Sequence, residues 1–159
     1  MEQTAFSLYD WKTLLETLLQ ELAYRARAHY RDNLVSLVVF GSVARGTATP
    51  ESDIDLLILL REKPPGSHAA YMDYLQNVEE KLPSLARARS MGWFPRFSPI
   101  LLKAEALRVD MPWLWGGTFR VLYDTGFFQA FLERLRAFEQ EHLAFVPSPI
   151  PHYVVKKPW

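Results

Sequence analysis

The stretch VVFGSVARGTATPESDIDL, residues 38–56, decides the fold of this 159-residue chain. It joins two short apolar runs, residues 34–40 and 54–60; the first is preceded by Asp32-Asn33 and followed by Gly41. Apolar runs of this length, bounded by turn residues, are typical of buried strands. We therefore predict two strands joined by a loop, residues 41–52, with room for one helical turn.

Gly41 and Ser42 directly follow the first predicted strand. Glycine lets the backbone turn tightly and lets a phosphate approach without a Cβ in the way. Amides that follow it, at the start of a short helix, and the Ser42 hydroxyl can donate hydrogen bonds to phosphate oxygens. The pair predicts a small anion-binding turn, although Gly-Ser after a strand is often a turn and nothing more.

Asp53 and Asp55 open the second predicted strand. Residues two apart on a strand share a face, so the two carboxylates project together while Ile54 and Leu56 project into the core. Adjacent carboxylates repel each other unless a cation lies between them. Magnesium binds one or two protein carboxylates and completes its coordination with water and phosphate oxygens. An anion-binding turn beside a carboxylate pair predicts a site for a metal-bound triphosphate.

Residue spacing predicts the remaining elements. Helices are predicted at 8–31, 69–89 and 127–143, and strands at 97–102 and 119–123. Pro83 should kink or end the second helix, and Pro99 places its strand at an edge of the sheet. Residues 104–118 have no clear pattern. We predict one domain, residues 1–146, and a tail, residues 147–159, whose four prolines argue against helix or central strand.

Composition limits the classes of function. Lys plus Arg and Asp plus Glu are 18 each, so there is no overall positive field to bind a long nucleic acid. The absence of cysteine excludes disulfides and thiolate metal sites. No signal peptide is visible, and no apolar run approaches the roughly 20 residues needed to span a bilayer. We expect a cytoplasmic protein.

On these residues the chain resembles the DNA polymerase β-like nucleotidyltransferase superfamily. Its signature is similar to the segment from Gly41-Ser42 to Asp53-Ile54-Asp55, and residues 41–46 with residues 52–56 resemble its minimal nucleotidyltransferase branch. The resemblance implies an α/β fold, a small mixed β-sheet with helices packed on one side.

The resemblance also implies a site and a reaction. Catalytic Asp53 and Asp55 would hold two magnesium ions, and Gly41 and Ser42 would bind the triphosphate, with ATP the favoured substrate. An acceptor hydroxyl would attack the α-phosphorus and release pyrophosphate. Arg45 would contact the phosphates, or alternatively form a surface ion pair with Glu51.

The family usually supplies a third carboxylate from the next strand, where this chain has Ser98. Glu105 and Asp124 are the candidates to replace it, the first in a predicted helical turn and the second at the end of a predicted strand. Without a third acid turnover would be slow, while triphosphate binding would survive.

Two functions follow. The resemblance implies transfer of AMP to a hydroxyl, and within the minimal branch an antitoxin role with a tyrosine of a HEPN-type helical toxin as acceptor. The alternative is a binding module without catalysis, in which apolar tail residues such as Phe145, Ile150 and Trp159 form an interface. Docking of the tail on its own domain is the other interpretation. The sequence leaves base preference and homo-oligomer formation open.

Overall fold

The computed structural model describes residues 7–156 of the chain. The α-helices in this range are α1 (Leu8–Tyr30), α2 (Gly41–Arg45), α3 (Ser67–Asn77), α4 (Leu85–Ser90) and α5 (Phe127–His142). The strands are β1 (Leu34–Phe40), β2 (Asp53–Leu60), β3 (Arg96–Lys103), β4 (Arg120–Asp124), β5 (Leu143–Val146) and β6 (His152–Val155). Short 3-10 turns occupy Arg31–Asn33, Glu79–Lys81, Ala104–Ala106 and Pro112–Leu114.

The main sheet has the strand order β3-β2-β1-β4. β1 pairs antiparallel with both β2 and β4, while β2 pairs parallel with β3, so the sheet is mixed. The predicted fold class and the predicted strands are confirmed. β3 lies at an edge of the sheet, which agrees with the position of Pro99 in it.

Helices lie on both faces of this sheet, and the prediction that they pack on one side is wrong in that detail. Ile54, Leu56, Ile58 and Leu60 of β2 pack in a core with α1 and with α3 and α4. Leu57 and Leu59 of the same strand pack in a second core with α5. Because β2 is apolar on both faces, each face must be covered.

The single helix predicted at 69–89 is replaced by α3, a 3-10 turn and α4. Pro83 has no amide to donate, and its ring excludes a helix through the preceding turn, so α3 ends before it. The start of α4 is fixed by α1, since the Ser84 amide and hydroxyl donate to the Glu21 carboxylate at 2.9 and 2.6 Å.

The first and last predicted helices agree with α1 and α5 to within one residue at each end. Ser7 caps α1, because its hydroxyl oxygen accepts a hydrogen bond from the Asp10 amide at 3.0 Å. Within residues 7–156, no helix is long and apolar enough to cross a bilayer.

The part of the tail up to residue 156 pairs with the end of the domain. β6 forms an antiparallel hairpin with β5, and Lys156 Nζ donates to the Gln140 carbonyl at 3.0 Å. Tyr153 lies directly against Gly116, where a Cβ would overlap its ring. These contacts favour the interpretation that the tail docks on its own domain. Phe145 and Ile150 remain 56% and 72% exposed, and Trp159 lies outside the described residues.

Candidate functional site

Both predicted carboxylates lie on β2, at the end of the main sheet where β1 ends and β3 begins. Asp55 pairs with Phe40 at the end of β1 and with Ser98 on β3, and Asp53 pairs with Arg96. Cross-strand partners share a face of a sheet. Ser98 therefore lies beside Asp55, at the place where the resemblance implies a third carboxylate.

Gly41 lies in direct contact with Asp55. Its φ is +70°, in the left-handed region that glycine adopts without cost. A Cβ built on Gly41 would overlap Asp55 Oδ2 and lie 3.1 Å from Asp55 Cγ. Glycine is thus required here both by its backbone conformation and by the space that the carboxylate occupies.

The two carboxylates differ in their surroundings. Burial raises the pKa of Asp55, the negative charge of Asp53 raises it further, and the positive charge of Arg45 opposes this rise. Asp53 is more exposed, and its Oδ1 forms an ion pair with Arg96 Nε at 3.1 Å. Burial, the larger cause, and repulsion from Asp53 together raise the pKa of Asp55, and a cation bound at the site would relieve the repulsion.

The turn that predicts phosphate binding is the short helix α2 and its flanks. Among the described residues the Ser42 hydroxyl has no hydrogen-bond partner, so it is available to a ligand. Arg45 is exposed and influences Asp55, and in residues 7–156 it makes no ion pair with Glu51. The loop that follows is anchored where Trp93 Nε1 donates to the Pro50 carbonyl at 3.0 Å.

Neither candidate for a third acid reaches this site. Asp124 accepts hydrogen bonds from Ser36 Oγ at 2.7 Å and from the amides of Phe128 and Gln129 at 3.0 Å, and so caps the start of α5. Burial alone would raise the pKa of Asp124, but these hydrogen bonds outweigh it and lower that pKa. Glu105 pairs with Lys103 at 3.0 Å, beyond the far end of β3.

The residues at this end of the sheet fit a magnesium ion bound with a triphosphate. Two carboxylates on one face are a sufficient protein contribution to magnesium, because water and phosphate oxygens complete its shell. Because Gly41 has no Cβ, the Asp55 carboxylate lies directly against the backbone of the anion-binding turn. Asp53 and Asp55 are the residues that would hold the ion.

Two further residues lie near the site, and of these Arg96 was not identified from the sequence. Arg96 is two residues before Ser98, as Asp53 is two before Asp55, so parallel pairing of the strands would have revealed its position. Trp113 is 40% exposed, and its ring centroid lies 5.7 Å from that of Phe40, the register partner of Asp55. No sequence pattern in residues 104–118 signals that contact.

The family model described as "Nucleotidyltransferase domain" matches residues 19–141, which include Gly41, Ser42, Asp53 and Asp55. Two similar proteins are proposed protein adenylyltransferases of Methanocaldococcus jannaschii. One is 39% identical over 51 residues, which are 32% of this chain and 35% of that protein. The other is 41% identical over 44 residues, 28% of this chain and 44% of that protein. The match thus spans less than half the length of each of these relatives.

Among solved structures, the chain is similar to a toxin–antitoxin crystal structure with AMP-PNP. That similarity has a TM-score of 0.43 and 16% identity, and it covers 75% of this chain and 90% of that chain.

Proposed function

This chain belongs to the nucleotidyltransferase domain family, and on that premise we propose that it is a magnesium-dependent nucleotidyltransferase with Asp53 and Asp55 as its metal ligands. The observation that carries the proposal is the close packing of Gly41 on Asp55, which joins the anion-binding turn to the carboxylates. Neither feature alone would be specific. Together they provide for the phosphates and for the cation that neutralises them.

In the proposed reaction the oxygen of an acceptor hydroxyl attacks the α-phosphorus of the triphosphate. A new O–P bond forms, and the bond from the α-phosphorus to the bridging oxygen breaks. Pyrophosphate leaves with that electron pair, and the hydroxyl proton passes to solvent. Bound magnesium would supply Lewis-acid stabilisation of the negative charge on the phosphates.

The chain's own residues bind and orient the triphosphate. Gly41 lets a phosphate approach the backbone, and the Ser42 hydroxyl donates to a phosphate oxygen. Arg45 adds a permanent positive charge beside Asp55, consistent with its electrostatic effect on that carboxylate. Asp53 and Asp55 hold the cation, and their fixed positions on β2 set where it binds.

We propose ATP as the donor and a protein hydroxyl as the acceptor. The names of the two curated relatives, both protein adenylyltransferases, support this choice. The finer proposal, a tyrosine of a HEPN-type toxin with this chain as antitoxin, rests on the resemblance of residues 41–56 to the minimal nucleotidyltransferase branch.

The test is transfer of label from ATP labelled at the α-phosphate, with magnesium, into the protein encoded next to this gene. Wild type should label that protein, and Asp53→Ala and Asp55→Ala should each abolish the labelling. Asp32→Ala is the matched control. Asp32 is exposed and precedes β1 at the end of that strand away from the site, so this variant should label the acceptor normally. Equal labelling by wild type and both site variants would show that the carboxylates are assigned wrongly.

A second candidate function is nucleotide or partner binding without transfer. Ser98 beside Asp55 favours it, since no third carboxylate reaches the site from the described residues. This candidate predicts that wild type binds ATP with magnesium in equilibrium dialysis but labels no protein, nucleic acid or small molecule.

A further inference from the structure

β3 places a cation and a hydroxyl beside the two carboxylates of β2. Arg96 pairs in register with Asp53, and Ser98 pairs with Asp55. Arg96 Nε lies 3.1 Å from Asp53 Oδ1, and a terminal nitrogen of the same guanidinium donates to the Glu51 carbonyl. The side chains of Arg96 and Asp53 are 66% and 53% exposed, so a ligand can reach both.

The site has few oxygen ligands for a second divalent ion. Among the described residues it offers two carboxylates, and Oδ1 of Asp53 is already in an ion pair with the Arg96 guanidinium. Asp124 is committed to the start of α5, and Glu105 lies beyond the other end of β3. In residues 7–156 no group of three or more His, Asp or Glu side chains could hold a metal ion.

We propose that this site binds one magnesium ion with the triphosphate, and that Arg96 supplies at Asp53 the positive charge that a second ion would supply. The inference rests on the proposed function and replaces the two ions that the resemblance implies. A guanidinium suits this role because it is always charged and binds carboxylate and phosphate oxygens directionally. Arg96 is thus a positioning residue that pairs with Asp53 Oδ1, and no other residue in 7–156 occupies Asp53 Oδ2.

Metal stoichiometry tests the first half of the proposal. Mn²⁺ serves as the probe, counted per chain by electron paramagnetic resonance with a saturating ATP analogue that carries a methylene between the α- and β-phosphates. Wild type should bind one ion that Asp53→Ala and Asp55→Ala remove. Ser98→Asp should bind two, because it adds a carboxylate beside Asp55, whereas Ser67→Asp, at the exposed start of α3, should still bind one.

The affinity of Arg96 variants for Mn²⁺ tests the second half. Arg96→Gln should bind Mn²⁺ about fivefold more tightly, the factor for one unit-charge interaction at about 4 Å in water, because a competing cation is gone. The same variant should transfer nucleotide more slowly, and Arg96→Lys should restore both quantities towards wild type. A residue with only a structural role would weaken binding and transfer together.

Three results would overturn the proposal. Two site-dependent ions in wild type would refute the single-ion site and leave the proposed function standing. Unchanged Mn²⁺ affinity in Arg96→Gln would refute the role of Arg96. No difference in bound Mn²⁺ between wild type and the two aspartate variants would refute the proposed function as well.

Discussion

Alanine at Gly41 is expected to displace Asp55 and so to damage the site more than it damages the fold. Gly41 is the first residue of α2 and Gly46 directly follows the helix, and the two have nearly the same φ, +70° and +76°. Alanine in this left-handed region costs about 1–2 kcal/mol. The two substitutions differ in their surroundings, since a Cβ at Gly46 meets nothing within 4 Å, whereas one at Gly41 overlaps Asp55 Oδ2.

The size of the effect follows from that overlap. To restore ordinary contact with the new Cβ, the Asp55 carboxylate must move by about 1 Å. Magnesium requires nearly ideal ligand geometry, and a misplacement of about 1 Å at a reacting centre costs on the order of 10²-fold in rate. Both variants should melt roughly 2–8 °C below wild type. Only Gly41→Ala, and not Gly46→Ala, should lose transfer activity, by about 100-fold.

The assay combines thermal melting with label transfer from ATP labelled at the α-phosphate, at a temperature where all three proteins are folded. Gly46→Ala is the matched control for backbone strain. If Gly41→Ala kept activity within about threefold of Gly46→Ala, the carboxylate position would not limit the reaction, and the reasoning from the close packing of Gly41 on Asp55 would be refuted.

Three further variants test the electrostatics and the caps. Asp55→Asn should raise the unfolding free energy of the ligand-free protein by about 0.5 kcal/mol at pH 7 after solvent screening. The reason is that burial and Asp53 raise the pKa of Asp55 and so disfavour its charged form in the folded protein. This gain in stability should shrink as the pH falls towards 4, and a loss of stability at pH 7 would contradict the prediction. Asp124→Ala should cost about 1–2 kcal/mol in chemical denaturation, because the cap of α5 is lost. Since hydrogen bonds lower the pKa of Asp124, the contribution of this cap to stability is present at neutral pH and is lost as the pH falls below about 4. If Asp124→Ala lost Mn²⁺ binding, Asp124 would instead be a metal ligand. Glu21→Ala should lower the unfolding free energy by about 1–2 kcal/mol, because the Ser84 amide and hydroxyl lose their acceptor. Nucleotide transfer measured below the melting temperature of the variant should not change. An unchanged melting curve would show that these two hydrogen bonds do not stabilise α4.

The elements closest to the site could be predicted from the sequence because short-range chemistry determines them. Around Gly41 and Asp53, apolar runs are separated by a segment of turn residues. The strands predicted from these runs differ from β1 and β2 by at most one residue. Ile54 and Leu56 are 1% and 0% exposed, as the alternation on β2 predicts.

Features that depend on contacts between distant segments could not be predicted in this way. α5 covers the second face of the sheet because Phe128 and Phe131 pack against β1 and β2. Helical spacing identifies the apolar face of α5 but does not show which face of the sheet it packs on. The ion pair between Arg96 and Asp53 depends on the register of a parallel strand pair. The hydrogen bond from Ser36 to Asp124 depends on the register between β1 and β4.

The most direct test of the central claim compares ATP labelled at the α-phosphate with ATP labelled at the γ-phosphate, using the wild-type chain, magnesium and the protein encoded next to this gene. Nucleotidyl transfer predicts that the α label enters the acceptor, that the γ label leaves as pyrophosphate, and that Asp53→Ala abolishes both events. Entry of the γ label into the acceptor, or α labelling that survives Asp53→Ala, would contradict the account.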